Sequence, residues 1–269
     1  MIAAAPRVSL DIGGLGYDLV CNNGILADWL RTRCRHFPPQ SMKRLIAHLT
    51  IEPDEQTLSL LEQPPRFSQG ALSWDAPGVQ GWIDPFQAAG RLALASRQPQ
   101  AEAEYFLRAA CALFSFENGG LLFHAAGVVR NDRAYLFFGR SGSGKSTAAS
   151  FSPQGAVLND DLVLLMPHQG IWWAYPTPFW NQPISPTPAP PAPLAGLYRL
   201  VQDREVYLED MQRGIAISEM LSNAPLVSAD ANRSHRLIQR CQEMLETIPA
   251  FFLHFQPNAS FWQVVSPSD

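Results

Sequence analysis

Apolar and polar residues alternate in short runs along the chain, and most of those runs carry the two-residue period of a β-strand. Val8-Ser9-Leu10-Asp11-Ile12 alternates strictly, the pattern of a strand with one buried face. Gly13 to Gly16 reads as a turn into a second strand, Tyr17 to Cys21. Asn22-Asn23-Gly24 supplies turn chemistry ahead of a short helix over 25–34, whose Ile25, Leu26, Trp29 and Leu30 share a face. Strands are expected over 47–51 and 58–61. A loop-rich passage follows, punctuated by Pro64-Pro65, Pro77-Gly78 and Asp84-Pro85, with Trp74 and Trp82 as packing residues inside it. The period then changes. Phe106, Ala109, Ala110, Leu113 and Phe114 recur at helical spacing, which predicts a helix over 101–116 ended by Gly119-Gly120. A domain boundary placed just before it divides the chain into a small, mixed, β-rich module over 1–98 and an α/β domain over 99–269.

Beyond the boundary, Leu121 to Val129 is a nearly continuous apolar run containing His124, and Asn131-Asp132 forms a tight turn. Ala134 to Phe138 reads as a buried strand. Ala156 to Leu158 and Leu162 to Met166 are apolar on either side of Asn159-Asp160-Asp161. Between Pro176 and Pro193 proline dominates, which excludes a helix or a sheet interior and predicts a semi-rigid loop of polyproline character. Strands over 197–201 and 205–208, helices over 214–221 and 231–248, and strands over 251–255 and 261–265 complete the pattern. Taken together, the fold class is α/β with mixed α+β character.

One stretch organises the rest. Gly139-Arg140-Ser141-Gly142-Ser143-Gly144-Lys145-Ser146-Thr147 matches the Walker A phosphate-loop pattern G-x-x-x-x-G-K-[ST] at every fixed position. Glycines let the backbone turn tightly, so that successive N–H groups converge on phosphate oxygens. Gly139, Ser141, Gly142, Ser143, Gly144 and Thr147 line the cradle. Lys145 can reach the β- and γ-phosphates, and the Ser146 hydroxyl can ligate Mg²⁺. A strand precedes the loop and a helix start follows it, over 147–152, until Pro153 stops it. Acidic residues at the end of the next strand, Asp160 and Asp161, stand where a metal ligand or a base is wanted.

Composition narrows the partners. A formal net charge of -4 with no Lys/Arg-rich run leaves no electrostatic footprint for nucleic acid. No segment approaches the roughly 18 apolar residues that span a bilayer, and Met1 to Arg7 lacks a signal-peptide pattern, so no membrane partner is expected. Cys21, Cys34, Cys111 and Cys241 are scattered without C-x-x-C pairing, which argues against a metal site or a disulfide framework and for a cytoplasmic protein.

The set His124-Ala125-Ala126-Gly127, then Gly139 to Thr147, then Leu158-Asn159-Asp160-Asp161 resembles the catalytic domain of HPr kinase/phosphorylase and its wider HPr-kinase-like family. By motif the resemblance covers residues 121–179. It implies a C-terminal domain of the P-loop HPr-kinase/PEP-carboxykinase type. The N-terminal module looks like the variable module of members found among enzymes that tailor ribosomal peptides. Carried over, the resemblance implies ATP and Mg²⁺ as cofactors and a γ-phosphoryl transfer to a hydroxyl, with a serine of a small protein or peptide the favoured acceptor. Lys145 and the loop amides would hold the triphosphate, Ser146 and Asp161 the Mg²⁺; Asp160 would be the base, with His124 beside it. The founding members are hexamers, so a homo-oligomer is compatible with the resemblance. Three features depart from them: there is no counterpart of the glycine-rich signature stretch, Val163 stands where an acidic neighbourhood is expected, and Pro153 cuts the helix short. Two other readings stay open, a nucleotide-binding regulator or scaffold that transfers nothing, and a small-molecule kinase or carboxykinase-like enzyme.

Overall fold

The computed structural model describes residues 5–53, 59–96, 98–152, 156–181 and 186–266. It has mixed α/β architecture and separates into two compact units, Met1–Asn118 and Gly119–Asp269. No helix among the described residues is long and apolar enough to cross a membrane.

The first unit is one sheet carrying two helices. Its strands are β1 (Arg7–Ile12), β2 (Leu15–Cys21), β3 (Arg44–Pro53), β4 (Arg66–Ser68), β5 (Ala71–Ala76), β6 (Val79–Asp84) and β7 (Ala89–Ser96), in the order β1-β2-β3-β7-β6-β5-β4. Helix α1 (Gly24–Arg33) starts on Asn23, whose side chain accepts from the Leu26 N–H, and supplies the β2-to-β3 crossover that a parallel pair requires. Helix α2 (Pro99–Glu117) lies against the sheet's apolar face, with Phe114 edge-on to Tyr17 and Phe106 against Trp74. That packing corrects the expected boundary near residue 98. The helix is apolar over most of its circumference, and it buries that surface on the first sheet rather than opening the second unit.

Two further expectations are corrected here. The passage over 64–85 is a meander of three short antiparallel strands rather than a loop-rich stretch; the alternation of Leu72, Trp74, Val79 and Ile83 into the core sets its register. Part of the strand expected over 58–61 lies outside the described residues, and Leu60–Glu62 is one 3₁₀ turn whose N-terminal cap is the Ser59 hydroxyl.

In the second unit, β8 (Leu121–His124), β9 (Ala126–Arg130) and β10 (Arg133–Phe138) precede the glycine loop and helix α3 (Lys145–Ser150). Then come β11 (Val157–Asn159), β12 (Leu162–His168), β13 (Ile171–Tyr175), β14 (Ala192–Gln202), β15 (Tyr207–Asp210), α4 (Arg213–Ser222), α5 (Ser234–Met244), β16 (Ala250–Phe255) and α6 (Trp262–Val265). Strands β10, β14 and β16 form a parallel trio, flanked by β9 and β11 on one side and β15 on the other. A second ribbon, β8-β12-β13, joins the trio through the first residues of β14.

The apolar run over 121–129 serves both layers. It switches from β12 to β10 at Ala125, so His124 ends one strand and Ala126 begins another. The layers meet closely at Gly127, where a Cβ would come within 2.8 Å of Val163 Cγ2. Val163 is therefore core, and an acidic residue there would be a buried charge without a partner. Two other readings change. Strand β14 begins inside the proline-rich segment, with Pro193 opposite Trp173, because that end of the strand pairs only for two residues. Phe261 to Val265 is helical rather than extended. Phe261 and Trp262 turn back together onto Phe137, and a period-two strand cannot place adjacent residues on one face.

Candidate functional site

Strand β10 is buried along Ala134–Phe138 and runs parallel to β14, so it delivers the chain to the carboxyl edge of the sheet at Gly139. Ligands of open α/β sheets gather at that edge. Gly139, Gly142 and Gly144 all have positive φ, at 143°, 77° and 104°. At Gly144 a second constraint applies, since a Cβ would lie 2.6 Å from Phe255 Cζ. Ala148 and Ala149 then bury the inner face of α3 on Phe137, Tyr198 and Phe255, and this apolar seat holds the loop.

Within the loop, Lys145 Nζ donates to the carbonyls of Gly139 at 3.0 Å and Arg140 at 3.4 Å, so the ammonium lies folded over the cradle. Partial burial lowers its pKa, and the Asp161 carboxylate opposes that shift by favouring the charged form. Ser141, Gly142 and Ser146 are exposed, while Ser143 and Thr147 are half-buried. The Ser143 hydroxyl oxygen is buried, with no hydrogen-bond partner among the described residues. Gln202, at the end of β14, donates to the Gly142 carbonyl at 3.1 Å and ties the loop to the neighbouring strand.

The acidic pair does not lie on a continuing strand. Asn159 is fully buried, and its Oδ1 accepts from the N–H groups of both Asp161 and Leu162 at 2.8 Å, making a turn between β11 and β12. Its amide donates to the Thr177 carbonyl, and the Thr177 hydroxyl donates to Leu162 O. Asp160 and Asp161 therefore occupy a bend clamped from beneath, and strict side-to-side alternation does not apply to them. Asp160 is 7% exposed and accepts from Asn181 N at 3.3 Å. Asp161 reaches His124, with Oδ1 3.2 Å from Nε2. The pairing of His124 with Leu162 across β8 and β12 makes that contact.

Asp161 thus contacts His124 directly and lies close enough to Lys145 to favour its charged form, with Asp160 adjacent in the bend. The histidine touches Asp161, the residue that the resemblance gives to the metal. Asn159, Thr177 and Gln202 escaped the sequence reading as site residues. Asn159 carried a signal, since an Asn two residues before Asp161 suits an Asx turn; Gln202 carried none.

Chemically, the arrangement offers a glycine loop carrying one cation, with the Asp161 carboxylate close enough to favour its charged form and Asp160 next to it in the bend. The donor set suits Mg²⁺, which takes one or two protein ligands and fills its octahedron with phosphate oxygens and water. Ser146 is exposed and Asp161 keeps part of its surface accessible, so both could serve. No protein-family model matches the chain, and no curated protein matches it either.

Proposed function

We propose that the second unit is an ATP-dependent kinase of the HPr-kinase-like type, which transfers the γ-phosphoryl group to a hydroxyl of a small protein or peptide, a serine being favoured. The observation that carries the reading is the juxtaposition of Lys145 with the Asp161–His124 pair at the mouth of a glycine loop. In-line phosphoryl transfer asks for positioning, charge neutralisation and a placed base, and for little else.

In this reading Lys145 leaves its two loop carbonyls for phosphate oxygens, and the loop amides hold the chain of phosphates. Ser146 and Asp161 would hold Mg²⁺, which neutralises charge on the phosphate oxygens when bound. Asp160 accepts the proton of the attacking hydroxyl. It is nearly buried, and its Oδ1 accepts from Asn181 N at 3.3 Å. His124 acts as a positioning residue by fixing the orientation of Asp161. The His124–Asp161 contact also favours exchange of the two carboxylate roles, with Asp161 as base and Asp160 on the metal.

Calorimetric titration of Mg-ATP and Mg-GTP into the wild type and Lys145→Ala tests the reading. Mg-dependent binding that is lost in the variant supports it, and absence of binding in the wild type removes it. A second reading, a nucleotide-binding scaffold without transfer, is favoured by the length of α3, which has only six residues. Nucleotide bound with no phosphoprotein formed from any acceptor would select the scaffold.

A further inference from the structure

At the end of β10 opposite the glycine loop, two arginines stand face to face, and neither has an acidic partner. Strands β9 and β10 are joined by the turn Asn131-Asp132, both residues having positive φ, at 49° and 56°. That two-residue turn sets Arg130 directly opposite Arg133. The pairs Val128–Tyr135 and Ala126–Phe137, further along the same ladder, point into the core beneath α3. By the two-residue period Arg130 and Arg133 lie on that same face. Like charges placed directly opposite in a sheet repel. Asp132, between them in the chain, pairs with neither, and neither guanidinium makes a hydrogen bond or an ion pair among the described residues. Arg130 is half-buried and lies over the Trp262 ring, 5.0 Å from its centroid.

Arg130 also lines a cavity of about 1050 Å³, which shares no residue with the loop over 139–147. Its volume is at the upper end of small-molecule sites, roughly 300–1,000 Å³. No carboxylate is among its lining residues. The side-chain amides of Asn131 and Gln263 add donors beside the guanidinium, and Trp262 and Phe151 form an apolar wall. That wall is rigid. Trp262 stands edge-on to Tyr135 and Phe137, and the Tyr135 hydroxyl donates to Ser266 Oγ at 3.1 Å. The end of α3 closes another side, and bare carbonyls at a helix C-terminus would repel an anion. Here the Ser150 hydroxyl donates to the Thr147 carbonyl at 2.7 Å and the Ser152 hydroxyl to that of Ala148 at 3.3 Å, so those two acceptors are engaged.

We propose that this cavity is a second ligand site, separate from the glycine loop, and that it takes a small organic dianion whose charged group lies between Arg130 and Arg133 and whose body lies along Trp262 and Phe151. Guanidinium forks match the oxygens of carboxylates and phosphates two at a time. Each arginine here keeps its five donors unspent on protein groups. A dianion cancels the repulsion between the pair, which a neutral molecule cannot do and a monoanion does only in part. The local excess of positive charge arises in a chain of formal net charge -4, so the general field of the protein does not supply it. A phosphate monoester and a dicarboxylate both carry the required charge. The fixed Trp262 ring lets the ligand bind without first ordering its wall.

Calorimetric titration of phenyl phosphate, phthalate and benzyl alcohol into the full chain provides the test. In the wild type at least one of the two dianions should bind saturably, and benzyl alcohol should not. Which dianion binds separates phosphate esters from dicarboxylates. Arg130→Gln should weaken that binding about tenfold or more, the loss expected when a charge-assisted contact goes. Arg133→Gln, at an exposed position, should weaken it about two- to fivefold. Lys145→Ala, which disables the glycine loop, should leave the affinity for the dianion in place. Binding of neither dianion overturns the site, and so does equal binding of benzyl alcohol. Binding abolished by Lys145→Ala places the ligand on the glycine loop and overturns it too, as does binding that survives Arg130→Gln. Should Arg130→Gln not fold, phenylglyoxal modification of the wild type decides by peptide mass: protection of Arg130 by the dianion supports the site, and unchanged modification overturns it.

Discussion

The two units each hold a cluster of opposite charges, and the clusters differ in how completely their hydrogen-bonding capacity is spent. In the first unit Asp18, 2% exposed, takes Arg7 Nη2 at 2.6 Å, Arg44 Nε at 2.8 Å and Arg44 Nη2 at 3.0 Å. Arg44 also reaches Asp11 and the carbonyls of Leu10, Tyr17 and Ser41, so its guanidinium is saturated. Gly16 makes room for it, since a Cβ there would lie 2.5 Å from Arg44 Nη1. In the second unit Lys145 donates to two backbone carbonyls, the buried Ser143 hydroxyl has no partner among the described residues, and His124 is 42% exposed. A closed cluster locks a fold. An open one keeps donors and acceptors for something that arrives, and perturbed groups with spare capacity concentrate at functional sites.

Removing a carboxylate from the open cluster gives the largest expected effect. Asp160→Asn should lower phosphoryl transfer about 10²–10⁴-fold, the usual worth of a placed base, with Mg-ATP binding and the unfolding midpoint little changed. Initial rates with an identified acceptor, alongside calorimetry, are the measurement. Transfer unchanged in an active preparation would take the base role away from Asp160. If Asp161→Asn gives that loss instead, the exchanged assignment holds.

The open cluster was far more legible in sequence than the closed one, and the reason is local. The loop's eight expected residues lie within a nine-residue motif whose spacing encodes its own geometry, and the Asx turn at Asn159 sits within two residues of Asp161. Asp18 and Arg44 are 26 positions apart, and only the parallel pairing of β2 with β3 brings them together. Long-range register of that kind leaves no mark in composition or period. The same holds for Gln202, 60 positions from Gly142, and for His124, whose partner is chosen by a chain that changes layers at Ala125. The helix α2 was readable as a helix but not as a member of the first unit, because periodicity reports a buried face without naming what buries it.

Arg44→Ala sharpens the contrast from the other side. It strands Asp18 in a nearly buried site, and breaking a buried pair costs about 3–5 kcal/mol. Arg44 keeps 19% of its surface and Arg7 remains beside Asp18, so we expect about 2–3 kcal/mol. Urea denaturation of the full chain reads it, and Mg-ATP binding should be unaffected. A change below the error of extrapolation would mean that the closed cluster contributes no stability.

Acid should expose the same cluster. Burial raises the Asp18 and Asp11 carboxyls, but hydrogen bonds outweigh it, from Arg44 and Arg7 to Asp18 and from Ser41, Gln40 and Arg44 to Asp11. Both are held below their ordinary value of 3.8. Their contribution is therefore complete above that value and lost as the pH falls below it, because the unfolded chain takes up protons first. Arg44→Ala should flatten the acid limb of the stability profile, whereas Lys145→Ala should leave it in place.

Arg7→Ala is the smallest effect and the finest discrimination. Arg7 touches the same carboxylate as Arg44, at a shorter distance, yet 53% of its side chain is in water. Exposed ion pairs contribute about 0.2–1 kcal/mol, because solvent screens them and a long side chain must be ordered. A loss of that size beside the larger one from Arg44→Ala would show that burial, not distance, sets the worth of each contact to Asp18. A double-mutant cycle between the two arginines separates the terms. Coupling near zero would mean that each cation acts on Asp18 independently. Strong coupling would mean that Arg7 matters only while Arg44 holds the carboxylate in place, and the cluster would then be closed by a single residue.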